Sequence, residues 1–128
     1  MTLEFYSNPM SRGRIVHWML EELGEPYETK WIPYGPNGHK GPEYLAINPM
    51  GKVPALRHDG HVVTEAPAII SYLALAFPDG GLGPRDGELA DFMRWMFFAA
   101  GPLEQATTAN AFGWTTPEDK VGMVGFGT

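Results

Sequence analysis

Apolar and polar positions change period several times along this chain, and each change marks an element. Leu3-Glu4-Phe5-Tyr6 is a short strand that runs into the polar, proline-containing loop "SNPMSRG". From Arg12 to Leu23 the apolar residues Ile15, Val16, Trp18, Met19, Leu20 and Leu23 fall at helical spacing, and Gly24 supplies the stop. Pro26 to Ile32 reads as a second strand, and the loop "PYGPNGHKGP" leads into a short helix from about Pro42 to Ile47. Val53 to Arg57 and His61 to Thr64 read as a strand pair turned at His58-Asp59-Gly60. Pro67 to Phe77, "PAIISYLALAF", is a strongly apolar helix. The predicted order is β-α-β-α-β-β-α.

Beyond it the regime changes. "PDGGLGPRDG", residues 78 to 87, holds four glycines and two prolines and reads as a linker. Glu88 to about Phe112 then forms one long helical pattern, about 37 Å at 1.5 Å per residue, with Gly101-Pro102 placed to bend it. Its apolar residues, among them Leu89, Phe92, Met93 and Trp95 to Phe98, exceed one narrow stripe and predict a helix buried on most sides. The expected organisation is a first α/β domain at 1–78, a linker at 79–87, and the opening of an all-helical domain at 88–128 whose remainder is absent. Asn-Pro-Met occurs at 8–10 and 48–50, but the flanking sequences do not match, so it is no repeat.

Composition narrows the partners. A 128-residue chain, 44% hydrophobic and 12% aromatic, is globular in type. A net charge of −6 argues against nucleic acid as the main partner. No apolar run approaches the roughly 20 residues of a membrane span, and "MTLEFYSNPM" has no leader pattern. The chain has no cysteine, which excludes disulfides, thiolate metal ligands and protein-thiol catalysis. A cytoplasmic protein is the plain expectation.

One proline carries more than composition does. Pro54 stands where the third strand begins, and proline gives no N–H to a sheet ladder. The element order with Val-Pro at this place resembles the thioredoxin-like arrangement, in which that bond is cis. The resemblance implies that the Val53 N–H and C=O turn out of the sheet at the tip of the first helix, where an extended peptide can pair with them. A trans proline at the start of an edge strand is the plainer alternative.

"INPMGKVPALRHDGHVVTEAPAIISYLA" and "RGRIVHWMLEELGEPYE" resemble the N-terminal domain of the cytosolic glutathione S-transferases. "FMRWMFFAAGPLE" resembles the first helix of their helical C-terminal domain, so the likeness spans nearly the whole chain and is strongest toward bacterial, serine-type members. The resemblance implies a glutathione site. Val53, before the cis-Pro54, pairs with the cysteinyl backbone. Glu65 and Ala66 stand where the family has Glu-Ser, at a helix N-terminus that suits the γ-glutamyl carboxylate while the Glu65 side chain takes the amine. Alanine in place of serine removes one hydroxyl contact. His39 and Lys52 fall where several classes hold the glycyl carboxylate.

The family activates the glutathione thiol with a hydroxyl. Ser11 directly precedes the first helix, where a serine-type enzyme has it; Tyr6 ends the first strand but is separated from Arg12 by extra residues, which favours Ser11, and Ser7 trails both. Plainer readings stand beside these. Ser11 is also a good N-cap, Glu65 a favourable helix-start acid, and Lys52 and His39 ordinary loop charges. Arg12 and Arg14 are structural or shape the field at the helix tip, and His17 is an exposed helix residue. His58 and His61 flank a turn without a third ligand, so no metal is expected. The resemblance implies a detoxifying transferase that conjugates glutathione, as co-substrate, to a small electrophile in a pocket between the domains, near Trp95 to Glu104, and a homodimer. Glutathione-dependent isomerisation or peroxide reduction, or a non-catalytic transferase-like scaffold, are the alternatives.

Overall fold

The computed structural model describes residues 2–126. They divide into two compact units, Met1–Gly83 and Pro84–Thr128. The first holds β1 (Leu3–Ser7), α1 (Gly13–Leu23), β2 (Glu28–Trp31), α2 (Pro42–Leu45), β3 (Ala55–His58), β4 (His61–Thr64) and α3 (Ala66–Ala76). The strands form one sheet in the order β2-β1-β3-β4, with β1 parallel to β2 and the other neighbours antiparallel. This is a thioredoxin-like α/β fold.

Period-2 alternation decides which face each strand residue serves. Leu3 and Phe5 of β1 and Leu56 of β3 point to the face covered by α1 and α3, where Val16, Leu20, Ile69 and Leu73 complete a core of fully buried side chains. Each such side chain contributes about 1.5–3 kcal/mol by leaving water. Tyr6 and Ala55, one register step away, point to the opposite face and pack against Tyr44 of α2. α1 ends at Gly24, whose φ of 75° and N–H to the Leu20 carbonyl close the helix.

β3 begins at Ala55 rather than Val53, because Pro54 has no N–H to donate and the Val53–Pro54 peptide bond is cis. The β3–β4 hairpin turns through Asp59 (φ 47°) and Gly60 (φ 87°), two left-handed residues that match the strand twist. His58, which flanks this turn, hydrogen-bonds Tyr72 at 2.7 Å through Nδ1 and packs on Phe77. His17 is not an exposed residue. Its ring lies 5.8 Å from Phe5 of β1, 6.1 Å from Tyr27 just before β2 and 6.3 Å from Trp31 of β2.

In the second unit α4 (Leu89–Phe98) and α5 (Glu104–Phe112) are joined by a widened helical turn, Ala99–Leu103, that contains Pro102. Proline offers no N–H for the ordinary i→i−4 bond, so the turn loosens there. The expectation of a helix buried on most sides is not met: α4 has no buried residue, and Phe97 is 73% exposed. A unit of this size has too little chain to enclose a helix that is apolar all round.

Candidate functional site

The site is built where α1 begins. Asn8 fixes the loop after β1: its Nδ2 donates to the Ile32 carbonyl at 2.9 Å, and its Oδ1 accepts the Met10 N–H at 2.9 Å. Ser11 follows within that turn. Its Oγ donates to the Asn8 carbonyl at 2.7 Å and accepts the Gly13 N–H at 3.0 Å, so this hydroxyl caps the first turn of α1. Gly13 is required there because a Cβ would come 1.9 Å from the Ser7 Oγ. The buried end of β1 and the start of α1 touch with no room for a side chain.

Two loops complete it. In the first, the Gly35 N–H donates to His39 Nδ1 at 2.9 Å, which leaves the ring proton on Nε2 as a donor, and the ring packs edge-on against Tyr34. In the second, Tyr44 Oη and Asn48 Nδ2 donate to the Lys52 carbonyl at 2.5 and 2.9 Å, while Asn48 Oδ1 accepts the Met50 N–H at 3.1 Å. Burial pushes the Tyr44 hydroxyl up to about 12, so it remains a donor at all ordinary pH. Lys40 Nζ ties the loops together through the Met50 carbonyl at 3.1 Å. Between them Gly51 (φ 58°) turns where a Cβ would meet the His39 carbonyl at 2.8 Å. These bonds fix the residue just before Val53. Among the described residues nothing takes up the Val53 N–H or C=O.

The loops and the helix tip enclose a cleft of about 460 Å³. Ser11, His39, Lys52 and Val53 line it together, as do Met10, Arg12, Arg14 and Tyr34. Four of the eight residues singled out from the sequence therefore share one cavity. Pro54 is buried directly behind Val53. Glu65 and Ala66 are not in the lining; they directly follow Thr64, which pairs with Ala55, the residue after Pro54. Glu65 has a φ of 71° with ψ 119°, a conformation that costs a residue with a side chain about 1–3 kcal/mol. No side chain caps α3, and Pro67 has no N–H to leave unpaired in its first turn.

Tyr6 is turned the other way. The β1 alternation puts its ring on the α2 face, where it is 4% exposed and its hydroxyl approaches Glu4 Oε2 at 3.4 Å. Burial raises its pKa, and the Arg57 guanidinium opposes that rise from 5.7 Å above the ring. Met10, Arg12, Arg14 and Tyr34 are the lining residues that sequence reasoning did not assign to the site. Only the place of Arg14 on the first helical turn, three residues beyond Ser11, was a usable signal. Among the described residues no three His, Cys, Asp or Glu side chains gather to hold a metal.

Comparison with known proteins agrees with this fold. Residues 10–76, just over half of the chain, match the family model described as Glutathione S-transferase, N-terminal domain. Glutathione S-transferase 3 of Schizosaccharomyces pombe is 35% identical over 95 residues, 73% of this chain and 39% of that protein. A glutathione S-transferase of Silene vulgaris is 43% identical over 77 residues, 58% of this chain and 35% of that protein. The chain thus spans well under half the length of these curated relatives. A solved structure of a glutathione transferase homologue from Sulfitobacter, with bound glutathione, superposes at a TM-score of 0.74 with 30% identity, over 92% of this chain and 59% of that one. With its thioredoxin-like fold and a family model that covers more than half its length, the chain belongs to the glutathione S-transferase family, in its N-terminal domain.

Proposed function

We propose that the cleft at the tip of α1 binds glutathione as co-substrate, holds it as thiolate and presents it to a small electrophile. The cysteinyl N–H and C=O pair with the exposed Val53 backbone, His39 Nε2 and Lys52 Nζ take the glycyl carboxylate, and the γ-glutamyl end goes to Glu65 and the Ala66 N–H. The observation that carries this reading is one cavity lined by Ser11, His39, Lys52 and Val53, with the Val53 backbone unpaired inside it. In the reaction the thiol proton leaves to water, the sulfur lone pair forms the C–S bond, and the leaving group departs with its bonding pair. Ser11 Oγ is the proposed donor to the sulfur. It exchanges its bond to the Asn8 carbonyl for one to the thiolate, a charged acceptor and therefore the stronger partner. Tyr6 is the lesser candidate, since its hydroxyl lies on the other face of the sheet. The reading extends to a homodimer in the cytoplasm.

The Ser11 geometry also favours a second reading, a binding or scaffold domain without chemistry. Both hydrogen-bonding functions of its hydroxyl are already used as a cap, and Ala66 lacks a hydroxyl altogether. Calorimetric titration with glutathione, followed by a conjugation assay with a neutral nitroaryl halide, separates the readings. Binding with turnover supports the transferase and removes the second reading; binding without turnover, or no binding at all, removes the transferase, and a scaffold is expected not to bind.

A further inference from the structure

The cleft is electrostatically lopsided. Its lining carries Arg12, Arg14 and Lys52 and no carboxylate, in a chain with 15 acidic residues against 9 lysines and arginines. Glutathione accounts for only part of that charge. In the placement proposed above its glycyl carboxylate meets His39 and Lys52, and its γ-glutamyl end lies at the start of α3, outside the lining. The α1 side of the cleft then keeps a cation with no assigned anion. Arg12 has a partner of its own, so the argument rests on Arg14. It is exposed, it lines the cleft, and among the described residues no acid pairs with it.

Helix stability does not explain Arg14. It stands in the first turn of α1, where the helix dipole favours acids and disfavours cations, and that turn contains no acid. The helix start is therefore arranged for an incoming anion: free guanidinium and dipole act in the same sense. Beside it Met10, 84% exposed, and Tyr34, 54% exposed, offer apolar surface in the same cavity.

We infer that the second substrate is an organic acid, with a carboxylate that Arg14 holds and an apolar body that rests on Met10 and Tyr34. The inference rests on the glutathione reading of this cleft and adds the class of the electrophile. Arg14 acts by a bidentate contact to the carboxylate, which a lysine reproduces only in part.

The test uses conjugates, so it does not depend on turnover. Affinities are measured by calorimetry for glutathione, S-benzylglutathione and S-(4-carboxybenzyl)glutathione, on the wild-type chain and on Arg14→Met and Arg14→Lys. The carboxybenzyl conjugate is expected to bind about tenfold more tightly than the benzyl one to the wild type, as a single charge-assisted pair supplies. Raising the salt narrows that ratio. Arg14→Met brings it to about one, and Arg14→Lys leaves it in between. Equal affinities in the wild type, or a ratio that survives Arg14→Met, overturn the inference. So does an Arg14→Met that weakens all three ligands alike, since the guanidinium would then serve glutathione itself. If glutathione and both conjugates fail to bind, the glutathione reading falls and takes this inference with it; if glutathione binds and the ratio is one, only the inference falls.

Discussion

Ser11 holds two roles with one oxygen, and substitution separates them. Ser11→Ala removes the cap on the Gly13 N–H, which costs about 1 kcal/mol of stability by itself. If the hydroxyl also serves the sulfur, the thiol pKa of bound glutathione rises in Ser11→Ala toward its ordinary value near 8.5, read by the ultraviolet absorbance of the thiolate. Tyr6→Phe is expected to leave that absorbance curve where it was, because the Tyr6 ring belongs to the α2 face. Glu65 gives a second separable pair of effects. Its φ of 71° suits glycine, so Glu65→Gly is expected to raise the urea midpoint by the equivalent of about 1 kcal/mol. The same change removes the carboxylate proposed for the glutathione amine and weakens glutathione binding at least tenfold. A residue kept for the fold alone would show the first effect without the second.

Among the elements, the loop before β3 is the one that determines whether Val53 is presented. Tyr44→Phe deletes one of the two donors that hold the Lys52 carbonyl, and Asn48 supplies only the other. A loss of about 1 kcal/mol of stability is expected, together with a weaker glutathione affinity as residues 50–53 loosen; amide hydrogen exchange at Lys52 and Val53 reports the loosening. Most of this layer was legible in the sequence. Alternation in Leu3-Glu4-Phe5-Tyr6 and the 3–4 spacing of Val16, Leu20 and Leu23 depend only on neighbours along the chain, and the elements follow them to within a residue or two. Val-Pro marked the start of the third strand because the missing N–H is a local fact, although β3 itself begins only at Ala55. What was not legible depends on contacts across the chain. His17 looked exposed until the fold brought Phe5, Tyr27 and Trp31 around it. Ser11 was legible as an N-cap, whereas the aim of Arg14 into the cleft was not. The faces of Tyr6 and Ser7 could have been read from the same alternation, which sends Tyr6 away from α1.

Over the whole molecule, charge and burial set limits on pH. The Arg57 guanidinium holds the Glu4 carboxyl below the usual carboxylate range, and the Thr2 N–H does the same for Asp59. Both carboxyls are depressed in the folded chain, so their contribution is present above the unfolded value near 4 and is lost as pH falls through the lower folded values. At the other end Tyr27 and Tyr44 are raised to about 12, chiefly by burial. There the unfolded chain ionises first, so stability declines between about pH 10 and 12, by at most about 2.7 kcal/mol for Tyr44. Urea midpoints across pH should therefore fall at both ends, and Tyr44→Phe should flatten the alkaline limb while leaving the acid limb in place. No described helix is long and apolar enough to cross a membrane. The proposed function rests on the glutathione cleft of the first unit. A crystal structure with bound glutathione tests that feature most directly. The expected result has the cysteinyl N–H and C=O within about 3 Å of the Val53 carbonyl and amide, with sulfur beside Ser11 Oγ. Glutathione bound elsewhere, or lying in the cleft with the Val53 backbone unpaired, contradicts the account.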